Sequence, residues 1–78
     1  MNIDTIRAAF TAANDAGKGF APANGETDRD AAAEAMGDVE YYAQSTDDVT
    51  VVRTPAGRLI AIGDANGAWC CDVTDAAS

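Results

Sequence analysis

Carboxylates are the side chains of this sequence whose number and spacing suggest chemistry. Between Glu26 and Asp48 eight acids stand with the single base Arg29, a net charge of −7 within a chain of net charge −8. Carboxylates act as general acids and bases when an apolar site separates their pKa values, whereas on a surface they attract cationic partners. The eight acids are Glu26, Asp28, Asp30, Glu34, Asp38, Glu40, Asp47 and Asp48.

Acid–base catalysis is not expected from these residues. The pair Asp47 and Asp48 falls in a polar segment rather than in an apolar pocket that would tune its pKa values. The chain has no histidine, the commonest general base and metal ligand at neutral pH. Gly17-Lys18-Gly19 lacks the spacing of a phosphate-binding loop, and Asp64-x-Asn66-Gly67 lacks the further ligands of a calcium loop. We therefore predict no enzymatic activity, no cofactor and no metal.

A single helix over Asp28–Ala43 would segregate the acids from the apolar residues. At about 100° per residue, Asp30, Glu34 and Asp38 stack on one side of such a helix, and Tyr41 falls within about 20° of Asp30. The other side collects Ala32, Ala35, Met36, Val39, Tyr42 and Ala43. This pattern predicts a partner-binding surface formed by Asp28, Asp30, Glu34, Asp38, Glu40, Tyr41, Asp47 and Asp48.

A second interpretation ends this helix at Gly37. Asp38–Gln44 would then be a strand, with Tyr41 and Tyr42 on opposite faces, and tyrosine and valine favour strands. We prefer the helix because the apolar positions fit one helical face without exception. Gly37 falls on the solvent side of that helix, where it costs about 1 kcal/mol relative to alanine.

The remaining patterns predict one domain over residues 1–78, of the α+β class. A first helix spans Ile3–Asp15, capped by Asn2 or Asp4, and Thr27 or Asp28 caps the second helix. β-branched and apolar runs separated by turns then predict three strands. The expected fold is two N-terminal helices packed on a three-stranded antiparallel β-meander, with strands Val49–Thr54, Arg58–Gly63 and Ala68–Val73 and a tail Thr74–Ser78.

The two cysteines are adjacent in the third predicted strand. Neighbouring side chains of a strand point to opposite faces. Cys71 shares its parity with Trp69 and Val73, so we expect Cys71 to face the core and Cys70 to be the more accessible thiol. Two thiols without histidine are too few for a zinc site, so both are expected to serve packing.

Charge and hydropathy restrict the compartment and the partners. No segment approaches the roughly 18 apolar residues of a membrane span, and the N-terminus lacks the pattern of a signal peptide. We therefore expect the protein in the cytoplasm. A sequence pI near 4.1 argues against direct binding to nucleic acid or anionic membranes, both of which would repel it. Basic proteins remain the expected partners, and a homodimer is also compatible with the small core.

Four features of the chain are its small size, its alanine- and aspartate-rich composition, its lack of catalytic residues and its acidic segment Asp28–Ala43. In these features the chain resembles the small phage anti-CRISPR proteins that mimic DNA. The resemblance covers the whole chain as a type and rests on no residue motif. It implies binding to a basic DNA-binding surface of a Cas surveillance complex in the cytoplasm of a bacterial host cell, with exclusion of target DNA. On a helix, Asp30, Glu34 and Asp38 would rise about 6 Å per step, close to the spacing of successive phosphates.

Two other interpretations stay open. In the first interpretation, the chain is a non-catalytic phage or plasmid accessory or structural protein that acts through protein–protein contacts or dimerisation. In the second interpretation, the acids provide solubility, and Arg53, Arg58 and Trp69 make the contact with a partner protein. Tryptophan and arginine are enriched in binding hot spots.

Overall fold

The protein folds as one antiparallel sheet with a helix on each of its faces. The computed structural model describes residues 2–41, 48–64 and 67–77. The strands are hydrogen-bonded in the order β1-β2-β3-β4. The α+β class is therefore confirmed, with a fourth strand in the sheet and a short helix in place of the predicted tail. In chain order the elements are α1 (Ile3–Asp15), α2 (Arg29–Met36), β1 (Asp38–Tyr41), β2 (Val49–Arg53), β3 (Leu59–Gly63), β4 (Trp69–Asp72) and α3 (Thr74–Ala77).

The first helix has the predicted bounds because its signals are local. The side chain of Asn2 accepts hydrogen bonds from the backbone N–H of Asp4 (2.7 Å) and of Thr5 (3.4 Å), which caps α1. Ile3 and Ile6 are buried on one side of the helix. Gly17 follows the helix with φ 74°, a left-handed conformation that favours glycine.

The second helix is shorter than predicted, and the strand interpretation is confirmed for residues 38–41. Helix α2 ends at Met36, and β1 pairs antiparallel with β2, Val39 opposite Val52 and Tyr41 opposite Thr50. A continuous helix over Asp28–Ala43 is therefore wrong, although Tyr42 and Ala43 themselves lie outside the described residues. The physical reason is that hydrogen bonds to β2 satisfy the backbone of residues 38–41. Glycine at position 37 allows the two backbones to approach closely, because a Cβ there would overlap the carbonyl oxygen of Arg53.

Both faces of the sheet are covered, so the core has two layers. Alternate residues of a strand point to opposite faces, yet four consecutive residues of β2 and all five of β3 are buried. One layer, under α1, contains Ile3, Ile6, Val49, Val51, Leu59, Ala61 and Val73. The other, under α2, contains Ala32, Ala33, Val52, Ile60, Ile62, Ala68 and Cys70.

The segments that flank β4 are attached through hydrogen bonds. The N–H of Phe20 donates to the carbonyl of Cys70 (2.8 Å), and the N–H of Cys70 donates to the carbonyl of Phe20 (2.8 Å). The hydroxyl of Thr74 accepts from the N–H of Leu59 (2.8 Å), which holds the start of α3 against β3. The predicted β3–β4 hairpin is present, while Ala65 and Asn66 of its turn lie outside the described residues.

No helix among the described residues combines the length and the apolar character that crossing a membrane requires.

Candidate interaction surface

Asp28 begins the acidic surface and also caps α2. Its carboxylate accepts hydrogen bonds from the backbone N–H of Asp30 (2.9 Å) and of Ala31 (3.0 Å). Of the two candidate caps, Thr27 and Asp28, the structure places Asp28 at the cap position. A negative charge there is also favoured by the positive end of the helix dipole. Asp28 therefore has a structural function in addition to its charge.

Asp30 is tied to the sheet beneath α2. Its carboxylate accepts a hydrogen bond from the hydroxyl of Thr50 (2.9 Å), a fully buried residue of β2. The side chain of Asp30 is nevertheless 54% exposed. Glu34 follows one turn later and is exposed. Sequence reasoning missed Thr50, although a polar residue inside the apolar run Val49–Val52 was a visible signal.

Tyr41 lies among these acids, as predicted, but a strand places it there. It pairs with Thr50 across the sheet, so its side chain shares the face on which α2 lies. Tyr41 is 51% exposed. Partial desolvation, and then the negative charges of Asp30 and Glu34, raise the pKa of the Tyr41 hydroxyl. The predicted grouping of Asp30, Glu34 and Tyr41 is therefore present in the fold.

Asp38 and Glu40 lie on the other face of the sheet, so the predicted ridge of Asp30, Glu34 and Asp38 on one helix side is wrong. The two residues alternate with Val39 and Tyr41 along β1 and pair with Arg53 and Val51 of β2. The guanidinium of Arg53 lies 3.1 Å from the carboxylate of Glu40. Asp38 is exposed. The acids therefore flank β1 from both faces instead of forming one line.

Asp48 belongs to a different contact. Its carboxylate lies 2.7 Å from Nη2 of Arg7 and accepts a hydrogen bond from Nε of the same side chain (2.8 Å), which joins α1 to the residue before β2. Asp48 is therefore not grouped with the acids of α2. Asp47, the remaining predicted site residue, lies outside the described residues.

Among the described residues, the ion pairs of the arginines include neither Glu34 nor Asp38. Besides the pairs of Arg7 and Arg53, Arg29 contacts Asp64 (3.2 Å) and Arg58 contacts Asp72 (3.0 Å). Arg29 also lies 3.7 Å from Asp30. Within residues 2–41, 48–64 and 67–77, neither Glu34 nor Asp38 has a salt-bridge partner. We call the surface around β1 the acidic edge; it comprises Asp28, Asp30, Glu34, Asp38, Glu40 and Tyr41.

The hairpin residues that were the other candidate contact are engaged within the protein. Arg53 and Arg58 each pair with a carboxylate, as described above. Trp69 is half-buried, and its indole lies so close to Gly19 that a Cβ there would overlap the ring. This arrangement explains the glycine and gives Trp69 a packing function.

Both cysteines are buried, so the prediction of an accessible Cys70 is wrong. Their side chains do point to opposite faces, but each face is covered by a helix layer, and both residues have 0% exposure. Burial, and to a smaller extent the neighbouring Cys71 thiol, raises the pKa of Cys70 to about 11. Burial also raises the pKa of Cys71.

We predict that neither thiol reacts with a maleimide in the folded protein at pH 8. Reaction requires an accessible thiolate, and the buried thiols remain protonated at that pH. The measurement is mass spectrometry of adducts over time, with the urea-unfolded protein as the control in which both thiols react. Rapid single modification of the folded protein at Cys70 would contradict the two-layer core.

Comparisons of this chain with protein-family models, with curated proteins and with solved structures find no match.

Proposed function

We propose that this protein is a non-catalytic inhibitor that binds a basic DNA-binding surface of a bacterial defence complex and blocks access of target DNA. A Cas surveillance complex is the partner that the resemblance to DNA-mimicking anti-CRISPR proteins suggests. The observation that carries the proposal is the charge distribution around β1. The arginine ion pairs lie mainly elsewhere, and the acidic edge keeps an excess of exposed carboxylates.

The acidic edge has the electrostatic character of a mimic without a phosphate-like line. Asp30 and Glu34 are one turn apart on α2, and Asp38 and Glu40 approach from the other face of β1. A groove lined with lysine and arginine attracts such a surface for the same reason that it attracts DNA. Tyr41, exposed in the middle of the acids, adds an aromatic contact of the kind enriched in interfaces.

The test is a double charge reversal, Glu34→Lys with Asp38→Lys. Both side chains are exposed and neither caps a helix nor accepts a bond from a buried group, so the fold should be retained. We expect association with the partner complex to slow by on the order of tenfold at low salt, because rim charges act mainly on the association rate. The difference should shrink at high ionic strength. The measurement is surface plasmon resonance on the purified Cas complex, together with phage survival under CRISPR interference.

The matched control is Asp4→Lys with Asp15→Lys, which changes the net charge equally but on α1. This variant should associate and protect phage as the parent does. If the Glu34→Lys/Asp38→Lys variant folds and still protects phage like the parent, the acidic edge is not the contact. If the parent protects phage in no CRISPR-bearing host tested, the inhibitor function itself is wrong.

A second candidate function is that of an accessory protein acting through dimerisation. The observation that favours it is the position of β1 at the end of the sheet order, where a strand of another molecule can add. Sedimentation equilibrium distinguishes the two, since a dimeric mass at low micromolar concentration favours the accessory function and a monomeric mass favours the inhibitor.

A further inference from the structure

The two edges of the sheet differ in what covers them. The outer edge of β4 is occupied by the backbone of Phe20, which exchanges two hydrogen bonds with Cys70. In the part of the chain that the structure describes, no segment pairs with the outer edge of β1. Unpaired backbone groups at a sheet edge are a template for another strand.

The hydrogen-bond alternation shows which backbone groups face β1. The N–H of Val73 donates to the carbonyl of Leu59 (2.9 Å), so the backbone groups of Leu59 face β4. Because these groups alternate along antiparallel strands, those of Ile60 face β2. Ile60 pairs with Val52, whose groups therefore face β3, and the groups of the next residue, Val51, face β1.

The same alternation determines what β1 presents to solvent. Val51 pairs with Glu40, so Glu40 directs its backbone groups towards β2. Val39 and Tyr41, on either side of Glu40, therefore direct their N–H and C=O groups away from the sheet. The open edge thus offers two backbone donors and two acceptors.

The acids on both sides of this edge restrict the chemistry of an added strand. An added strand alternates its side chains between the two faces of the sheet. On one face they meet Asp30 and Glu34, and on the other Asp38 and Glu40. Positive charges are therefore favoured at both the odd and the even positions of the added strand, as in a segment rich in lysine or arginine.

We propose that β1 binds an extended basic segment of the partner protein as a fifth strand, through the backbone of Val39 and Tyr41. This proposal rests on the proposed function, from which it takes a basic partner, and it adds the mode of binding. A second copy of the chain is a poorer occupant. Pairing two β1 strands would bring two acidic edges together in a complex of two chains with net charge −8 each.

The direct test is amide hydrogen exchange by NMR, with a ten-residue peptide of paired lysines separated by single threonines as the probe, so that lysines occupy both faces of the added strand. We expect saturating peptide to slow exchange at Val39 and Tyr41 and to leave Glu40, which already faces β2, unchanged. The control is the same peptide N-methylated at every residue, which keeps the charges but removes the backbone donors from both of its edges. Binding without protection of Val39 and Tyr41 would overturn the edge mode, while leaving an electrostatic contact in place. Protection in concentrated protein without peptide would instead assign the edge to a second copy.

A pair of variants isolates the backbone donor. Tyr41→Ala and Tyr41→Pro both remove the ring, and only Tyr41→Pro removes the outward N–H; proline is tolerated at such edge positions. We expect Tyr41→Pro to bind the basic peptide probe about three- to tenfold more weakly than Tyr41→Ala, the effect typical of one hydrogen bond. Equal affinities with equal stability would overturn the edge mode. The proposed function would still be judged by the Glu34→Lys/Asp38→Lys variant, so the two failures are distinguishable.

Discussion

Gly37→Ala is expected to lower the free energy of unfolding by about 3 kcal/mol, the upper part of the range for overpacked sites. The added Cβ would overlap the carbonyl oxygen of Arg53, and its other close neighbours are also backbone atoms, the Arg53 carbonyl carbon (3.1 Å) and the Thr54 Cα (3.2 Å). Backbone held in a sheet cannot rotate away as a side chain can. The measurement is urea-induced unfolding followed by circular dichroism.

The sign of this effect distinguishes the strand from the helix. If Gly37 lay on the solvent side of a helix, alanine would stabilise the protein by about 1 kcal/mol. The matched control is Gly63→Ala, at a strand position where the nearest atom to the added Cβ is Cζ of the Phe10 ring, at 2.8 Å. That ring can shift, so Gly63→Ala should destabilise less than Gly37→Ala.

Asp30→Ala is expected to lower the free energy of unfolding by about 2 kcal/mol, because it leaves the buried hydroxyl of Thr50 without its acceptor. Removing both partners avoids that penalty. The variant with Asp30→Ala and Thr50→Val together should therefore lose less than the two single changes added. A double-mutant cycle from chemical unfolding measures the difference.

Glu34→Ala serves as the reference for an exposed acid of the same helix and should change stability by less than about 0.5 kcal/mol. Additivity of Asp30→Ala and Thr50→Val would show that the bond between them contributes nothing. A coupled result would explain why a charge-reversal test of function has to avoid Asp30: its substitution confuses loss of charge with loss of fold.

Because the core lies on both faces of the sheet, substitutions at most positions of the central strands and of β4 affect stability. Cys70 and Cys71 lie in one strand and point to opposite faces of the sheet, and each is fully buried. A polar substitution at either position would place an unsatisfied group in the interior. Surface tests are therefore best confined to Glu34 and Asp38 of the acidic edge and to Asp4 and Asp15 of α1, which are exposed.

Local signals in the sequence determined much of the fold. The bounds of α1 follow from the Asn2 cap and the spacing of Ile3 and Ile6, all within about two turns of helix. The hairpins β2–β3 and β3–β4 follow from β-branched runs separated by turns. The excess of acids between residues 26 and 48 was likewise visible without a structure, and all the residues of the acidic edge were among the predicted site residues.

The tertiary structure decided the conformation of residues 38–41 and the faces of the acids. The helical pattern of Val39 and its neighbours was real, but pairing with β2 satisfied the backbone and Gly37 allowed the close approach to Arg53. The β2 partners of residues 38–41 lie 9 to 15 residues further along the chain, and the periodicity of residues 38–41 does not indicate them. For the same reason the sequence could not show that a helix covers each face of the sheet, that Cys70 is buried, or that Asp38 faces away from Asp30. These properties depend on which distant segments meet, and the segment's own pattern carries no information about its partner.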